Sequence, residues 1–169
     1  MQIDDMIKNY SGEREKETRG IFASIFILQN RLQTIFDKAD PFLTLKQFML
    51  LVMIKHTTGK TTFTHLGKLS GSSRQNIKKL AASLEKKGFI TIRKNPVNKR
   101  NTSIQLTEKG DSYFEEVFYF HNEKLNSLFH EYSDEEIHLF YTMITRLYAG
   151  VDSQEQKYKY RWIGGQSRV

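Results

Sequence analysis

The chain of 169 residues contains no cysteine. That excludes disulfides, thiolate zinc sites and cysteine-based redox sensing within it. It also lacks any apolar run approaching the roughly 20 residues that a membrane span needs, and its first residues show no signal-peptide pattern. A cytoplasmic location is the resulting expectation. Catalytic signatures are missing too: there is no nucleophile motif, phosphate-binding loop or carboxylate pair in a recognisable setting. His56, His65, His121, His130 and His138 form no pair at i, i+3 or i+4 and no His-Glu-x-x-His arrangement. Neither an enzyme, nor a metal site, nor a cofactor is therefore expected. The most informative scarcity is acid in the middle of the chain. From Pro41 to Thr107 one acid, Glu85, stands against thirteen Lys and Arg residues, a net charge of +12, whereas the remaining residues sum to −5. A concentrated positive field between acidic ends is the footprint of a polyanion-binding core, because each neutralised phosphate releases counterions. A membrane surface is the competitor, but no basic amphipathic helix with an exposed Trp or Phe face accompanies the charge.

What is present is organised around Ser70–Gly88, SGSSRQNIKKLAASLEKKG. Ile77, Leu80, Ala81 and Leu84 recur at helical spacing and make one apolar face. Ser72 with Gln75 three residues on reads as a capping box, so the helix is expected to start there. Gly88 stands where a C′ glycine would end it. At about 100° per residue, Ser72, Gln75, Lys79, Ala82 and Lys86 project away from the buried face. Asn76 and Lys78 flank it, and Arg74 lies nearer the buried edge. Amide and basic side chains opening such a face suit the major groove, where amides pair with adenine and Arg or Lys with guanine. A solvated lysine-rich helix is the alternative.

Before this stretch, residues 1–18 are polar with one short amphipathic segment. A long helix follows, over about Arg19 to Lys38. Its Ile21, Ile25, Leu28, Leu32 and Ile35 form a heptad seam, and Phe22, Phe26 and Phe36 make a second stripe. Two stripes suggest a helix lying between its own domain and a partner, with a central core helix of a monomer as the alternative. Asp40-Pro41 breaks the chain, and Thr44 with Gln47 opens a helix to about His56. A short helix over Phe63–Leu69, with Phe63, Leu66 and Leu69 turned inward, then leads through Ser70-Gly71 into the organising helix. That is a helix-turn-helix. Gly67 inside it costs about 1 kcal/mol against Ala, which points to a close crossing where a side chain would not fit. Past Gly88 the period changes to two over Phe89–Lys94 and again over Thr102–Thr107, with the turn-forming, basic Asn95–Asn101 between. A hairpin directly after a helix-turn-helix is a wing whose tip can reach the adjacent minor groove.

Over roughly Arg19 to Val151 these residues resemble the MarR family of winged helix-turn-helix transcriptional regulators. The resemblance rests on Leu84-Glu85-Lys86-Lys87-Gly88-Phe89-Ile90, on Asn95-Pro96-Val97-Asn98-Lys99-Arg100, and on Ile104-Gln105-Leu106-Thr107-Glu108-Lys109-Gly110. The family typically reads L-E-K-x-G-L-[IV], then D-P-x-D-[RK]-R, then a strand ending L-T-x-x-G. Both family aspartates of the wing are asparagines here, Asn95 and Asn98. The resemblance implies a mainly α fold with a small β-hairpin wing (α+β). It also implies a homodimer of triangular outline on a pseudo-palindromic double-stranded operator, with a small-molecule effector as a further partner. Within a single domain of residues 1–169, residues 41–107 would bind DNA, and residues 1–40 and 108–150 would form the helical dimerisation lobe. Thr107 caps a helix to about Phe129 in that lobe, and Ser133 with Glu136 opens another. A basic, aromatic tail over residues 151–169 exceeds the resemblance and reads either as a frayed end or as an arm packing on a partner or on nucleic acid.

The expected DNA-binding residues are Ser72, Arg74, Gln75, Asn76, Lys78 and Lys79 on the helix and Asn98, Lys99 and Arg100 in the wing. An effector space between the lobes could be lined by Phe22, Phe26, Phe42 and Tyr113, although aromatics at helical spacing are more often core, and no effector site is assigned. The leading function is a DNA-binding regulator, usually a repressor in this family. A non-sensing winged-helix protein with an architectural or replication role is the alternative, and an enzyme of another class is opposed by the missing catalytic constellation. By resemblance Arg100 enters a narrow A·T-rich minor groove, with Asn98 offering one neutral carbonyl where a carboxylate could form a charge-assisted pair. Arg100→Ala should weaken duplex binding at every salt concentration and flatten the salt slope by about one unit for each phosphate no longer engaged. Asn98→Asp should weaken binding at low salt and narrow that deficit as salt screens the added charge. Operator titrations across a salt series check both.

Overall fold

In a computed structural model the chain is described over residues 3–58, 61–94 and 102–164. The helices are α1 (Ile3–Tyr10), α2 (Arg14–Ala39), α3 (Leu45–His56), α4 (Phe63–Leu69), α5 (Arg74–Lys86), α6 (Glu108–Leu128) and α7 (Asp134–Gly164), and the strands are β1 (Ile90–Lys94) and β2 (Thr102–Leu106). The α+β class with one antiparallel hairpin agrees with the sequence reading, with Ile90 opposite Leu106 and Lys94 opposite Thr102. Two compact units result, Met1–Glu115 and Glu116–Val169.

The core of the first unit comes from Leu50, Leu51, Leu66, Ile77, Leu84, Ile90 and Ile104, all fully buried. These are apolar positions of α3, α4, α5 and the hairpin, so among the described residues the largest fully buried side chains all lie in the winged helix. The capping box at Thr44 and Gln47 forms as expected. Gln47 does more than cap. Its Oε1 also accepts from Lys87 Nζ at 3.1 Å, and its Nε2 donates to Ser83 Oγ at 2.9 Å, tying α3 to the end of α5. Lys87 Nζ donates in addition to the Phe42 carbonyl at 2.6 Å.

Several local expectations change. The long helix begins at Arg14 rather than near Arg19, and it follows a separate turn of helix whose Tyr10 packs where a Cβ on Gly20 would sit. Leu69 does not turn inward; at 55% exposure it lies at the last residue of a seven-residue helix that is already turning towards α5. In the second unit α7 continues to Gly164, so residues 151–164 are helical rather than a frayed end. Thr107 Oγ1 accepts from the Gly110 amide at 3.1 Å, and Ser133 and Glu136 exchange both bonds of their capping box.

At the start of α6, the buried Tyr113 hydroxyl donates to the carboxylate of Asp40, which also accepts from the Phe42 and Leu43 amides at 2.8 and 3.0 Å. Burial first, then the hydrogen bond to Asp40 and its negative charge, push the Tyr113 pKa well above the ordinary phenol value, so the proton stays on the tyrosine. The Phe42 ring meets Tyr113 edge-on at 6.5 Å, while Phe22 and Phe26 pair with each other on α2 at 5.0 Å. Tyr113 is thus a core residue with its polar end committed.

Gly67 has the close approach that its position in a helix suggested. A Cβ there would meet the Ser72 carbonyl oxygen at 2.8 Å, so it is the backbone entering α5 that needs the space. Helix propensity alone would credit Gly67→Ala with about 1 kcal/mol of added stability. The steric conflict predicts the opposite sign, a loss of about 1–3 kcal/mol from overpacking. Urea unfolding of the variant decides between them.

Candidate nucleic-acid interface

The turn between α4 and α5 sets where the exposed face of α5 begins. Ser70 N–H donates to the Leu66 carbonyl and Ser72 N–H to the Gly67 carbonyl at 2.8 Å, with Gly71 between them at φ +62. Ser72 is thereby held in the turn. The N-cap is instead Ser73, whose backbone is extended and whose Oγ accepts from the Asn76 amide at 3.1 Å. This corrects the expected Ser72–Gln75 capping box: with two adjacent serines, the turn's own hydrogen bond selects the second. At the far end Gly88 is at φ +81, its N–H donates to the Glu85 carbonyl, and the Phe89 N–H donates to the Leu84 carbonyl. Those two bonds form a Schellman motif, with Leu84 and the buried Phe89 as its apolar contact.

Of the expected helix residues, Arg74, Gln75, Asn76, Lys78 and Lys79 are exposed together on α5, and Ser72 is half-buried at its foot. The structure does not leave all of them equally available. The Asn76 Nδ2 donates to Ser72 Oγ at 2.8 Å, so one of its donors is engaged locally. The Lys78 ammonium sits 5.9 Å from the centre of the Phe63 ring on α4, within cation–π range. Asn98, Lys99 and Arg100 lie outside the described residues. Lys68 in the last turn of α4 and Arg93 on β1 are among the further exposed basic residues of the same stretch that the expected set leaves out. Both were counted in the charge asymmetry, which was the signal that could have found them.

Between α2, α3 and the start of α5 lies a groove of about 560 Å³, lined by Gln29, Gln33, Met49, Leu69, Asn76 and Leu80 among others. Its lining includes none of Phe22, Phe26, Phe42 and Tyr113. Among the described residues there is no cluster of three or more His, Asp or Glu side chains placed to hold a metal ion, and no helix is long and apolar enough to cross a membrane.

The sequence profile of the MarR family matches residues 43–102, the segment from just before α3 to the first residue of β2. Among characterised proteins, the chain is similar to the HTH-type transcriptional repressor YetL of Bacillus subtilis, with 27% identity over 131 residues that make up 76% of this chain and 78% of YetL. It is also similar to the transcriptional repressor MprA of Escherichia coli, at 34% identity over 86 residues; that match spans about half of each chain, 51% and 49%. Among solved structures, a MarR/EmrR family regulator from Acinetobacter sp. ADP1 superimposes with a TM-score of 0.72 at 20% identity, covering 80% of this chain and 97% of that one. A MarR protein from Peptoclostridium difficile reaches 0.72 at 19% identity, covering 81% and 90%. At such identities the superpositions establish a shared fold.

Gln75 is exposed in the first turn of α5. If Gln75 pairs bidentately with adenine, a Gln75→Ala variant should lose about 1–3 kcal/mol of binding and relax preference at one base pair. An unchanged preference in a binding selection would remove Gln75 from the reading set.

Proposed function

This chain belongs to the MarR family of winged helix-turn-helix transcriptional regulators, and from that premise we propose that it is a dimeric repressor that binds a pseudo-palindromic duplex operator and is released by a small-molecule effector. The observation carrying the DNA-binding part is the exposed amide-and-basic face of α5, presented by a buried scaffold in a stretch with one acid and thirteen basic residues. Its first turn supplies Arg74, Gln75 and Asn76, the residue types that read base edges. Lys68, Lys79, Arg93 and the wing residues Asn98, Lys99 and Arg100 supply phosphate and minor-groove contacts. Repression is the activity named for YetL and MprA, and the proposal extends it to this chain.

The dimer rests on apolar faces that a single chain leaves in water. On α2 these are Ile21, Phe22, Ile25, Phe26, Leu28 and Ile35, with Phe22 at 65% exposure. On α7 Phe140, Tyr141, Ile144, Leu147, Tyr148 and Val151 are likewise exposed. Monomeric proteins rarely expose contiguous apolar surface on this scale, and groove-reading helices work in symmetric pairs. The effector part rests on the groove beside Asn76 and the α4–α5 turn, where a bound molecule would touch the foot of the reading helix. A non-sensing architectural protein would share the first two features and lack ligand-dependent release.

Selection of bound fragments from the source genome should recover an inverted repeat with half-sites about 10–10.5 base pairs apart, enriched in A·T pairs. Sedimentation should show a species of twice the 19.9 kDa chain mass, shifted towards the single chain by Phe22→Asp with Phe26→Asp. A 19.9 kDa species alone at micromolar concentration, or fragments with no shared site, would sink the reading.

A further inference from the structure

The one acid of the basic stretch is badly placed for electrostatics. Glu85 lies in the last turn of α5, where the helix end already carries partial negative charge, on an exposed position in a segment of net charge +12. Near phosphates it would oppose binding. Its carboxylate has a specific contact, however: Oε1 accepts the backbone N–H of Ile92 on β1 at 2.8 Å.

The hairpin register explains why that N–H is available. Ile92 stands opposite Ile104. The Ile104 N–H does not turn towards β1 but donates to the Thr61 carbonyl at 3.1 Å. In an antiparallel pair of the non-hydrogen-bonded type both residues direct their N–H groups outward, so the Ile92 N–H points off the opposite edge, where Glu85 meets it. The two-stranded ribbon is thus tied at one level on both edges, by Thr61 before α4 and by Glu85 on α5. An isolated two-stranded hairpin is marginal in water, and its direction is set by what holds its root.

We propose that Glu85 is a positioning residue for DNA recognition, fixing the wing relative to the recognition helix through the Ile92 amide so that both engage one site at a set spacing. The inference rests on the DNA-binding reading above. It assigns the carboxylate a role that favours specificity and lowers general affinity. Removing the charge and removing the bond should therefore have opposite effects.

The test compares Glu85→Gln, which removes the charge and keeps an acceptor oxygen, with Glu85→Ala, which removes both. Alanine suits an exposed helical position, so both variants should fold, as circular dichroism can verify. On a duplex of scrambled sequence both should bind more tightly than wild type, by similar factors. On the duplex selected by the wild-type protein, Glu85→Ala should lose about tenfold in its preference over the scrambled duplex, the scale of one hydrogen bond to a charged group. Glu85→Gln should keep most of that preference. Reselection with Glu85→Ala should retain the base pairs read by the first turn of α5 and lose preference in the flanks reached by the wing, and the Ile92 amide should exchange faster with solvent in that variant only. An unchanged flank preference in Glu85→Ala, or an equal loss in Glu85→Gln, overturns the proposal while leaving the DNA-binding reading in place. A wild-type protein that selects no sequence overturns both.

Discussion

The winged helix depends on one buried amide. Gln47, 7% exposed, caps α3, accepts from the Lys87 ammonium and donates to Ser83. Buried polar groups are costly when unpaired and specific when satisfied, so this side chain admits one arrangement of α3 against α5. Lys87 extends the same network to the Phe42 carbonyl, and its own carbonyl accepts from Lys109 Nζ at 2.8 Å. The end of the recognition helix is thereby joined to the segment leaving α2 and to the first turn of α6. Apolar burial of Leu84, Phe89 and Ile90 provides the stability of this joint; the polar network sets its geometry.

A second joint closes the same corner. Asp40, 8% exposed, ends α2 and receives the Phe42 and Leu43 amides and the Tyr113 hydroxyl. Asp37 Oδ1 meanwhile accepts the Leu45 amide at 2.6 Å at the start of α3. Two carboxylates about one helical turn apart thus satisfy the backbone of the connection after Asp40-Pro41. A movement of α2 would reach α3 through Asp37 and the recognition helix through Phe42 and Lys87. The proposed effector release would need such a coupling between the groove beside Gln29 and Gln33 and α5.

What was legible in the sequence was local. Capping boxes at Thr44 and Ser133, the C′ glycine at Gly88 and the two alternating runs of the hairpin are decided within a few residues, and each appears where its chemistry placed it. The choice between Ser72 and Ser73 as cap was not local, because it turns on a bond from Ser72 to Gly67 across the turn. Leu69 failed for a related reason: three apolar residues at helical spacing do not reveal that the helix stops at the third. Glu85 was legible only as a charge. Its partner lies on a strand whose register had to be known before the direction of the Ile92 amide could be. The partners of Lys87 were hidden in the same way, since they are 40 and 45 residues away.

The structure also changes what the positive charge means. A formal +12 over residues 41–107 counts every cation alike. Lys87 is committed to Phe42 and Gln47, and Lys55 is held between Asp111 at 3.5 Å and the Phe114 ring at 4.7 Å. Lys78 leans on the Phe63 ring. Only cations that meet phosphates release counterions, so the number acting on DNA is smaller than the number in the stretch. The committed lysines instead hold the frame, and all three remain exposed while doing so. Under the proposed function, a long-range positive field guides a duplex towards this face, whereas the choice of sequence would fall to the exposed side chains on the first turn of α5 and to the ribbon that Glu85 and Thr61 hold beside it.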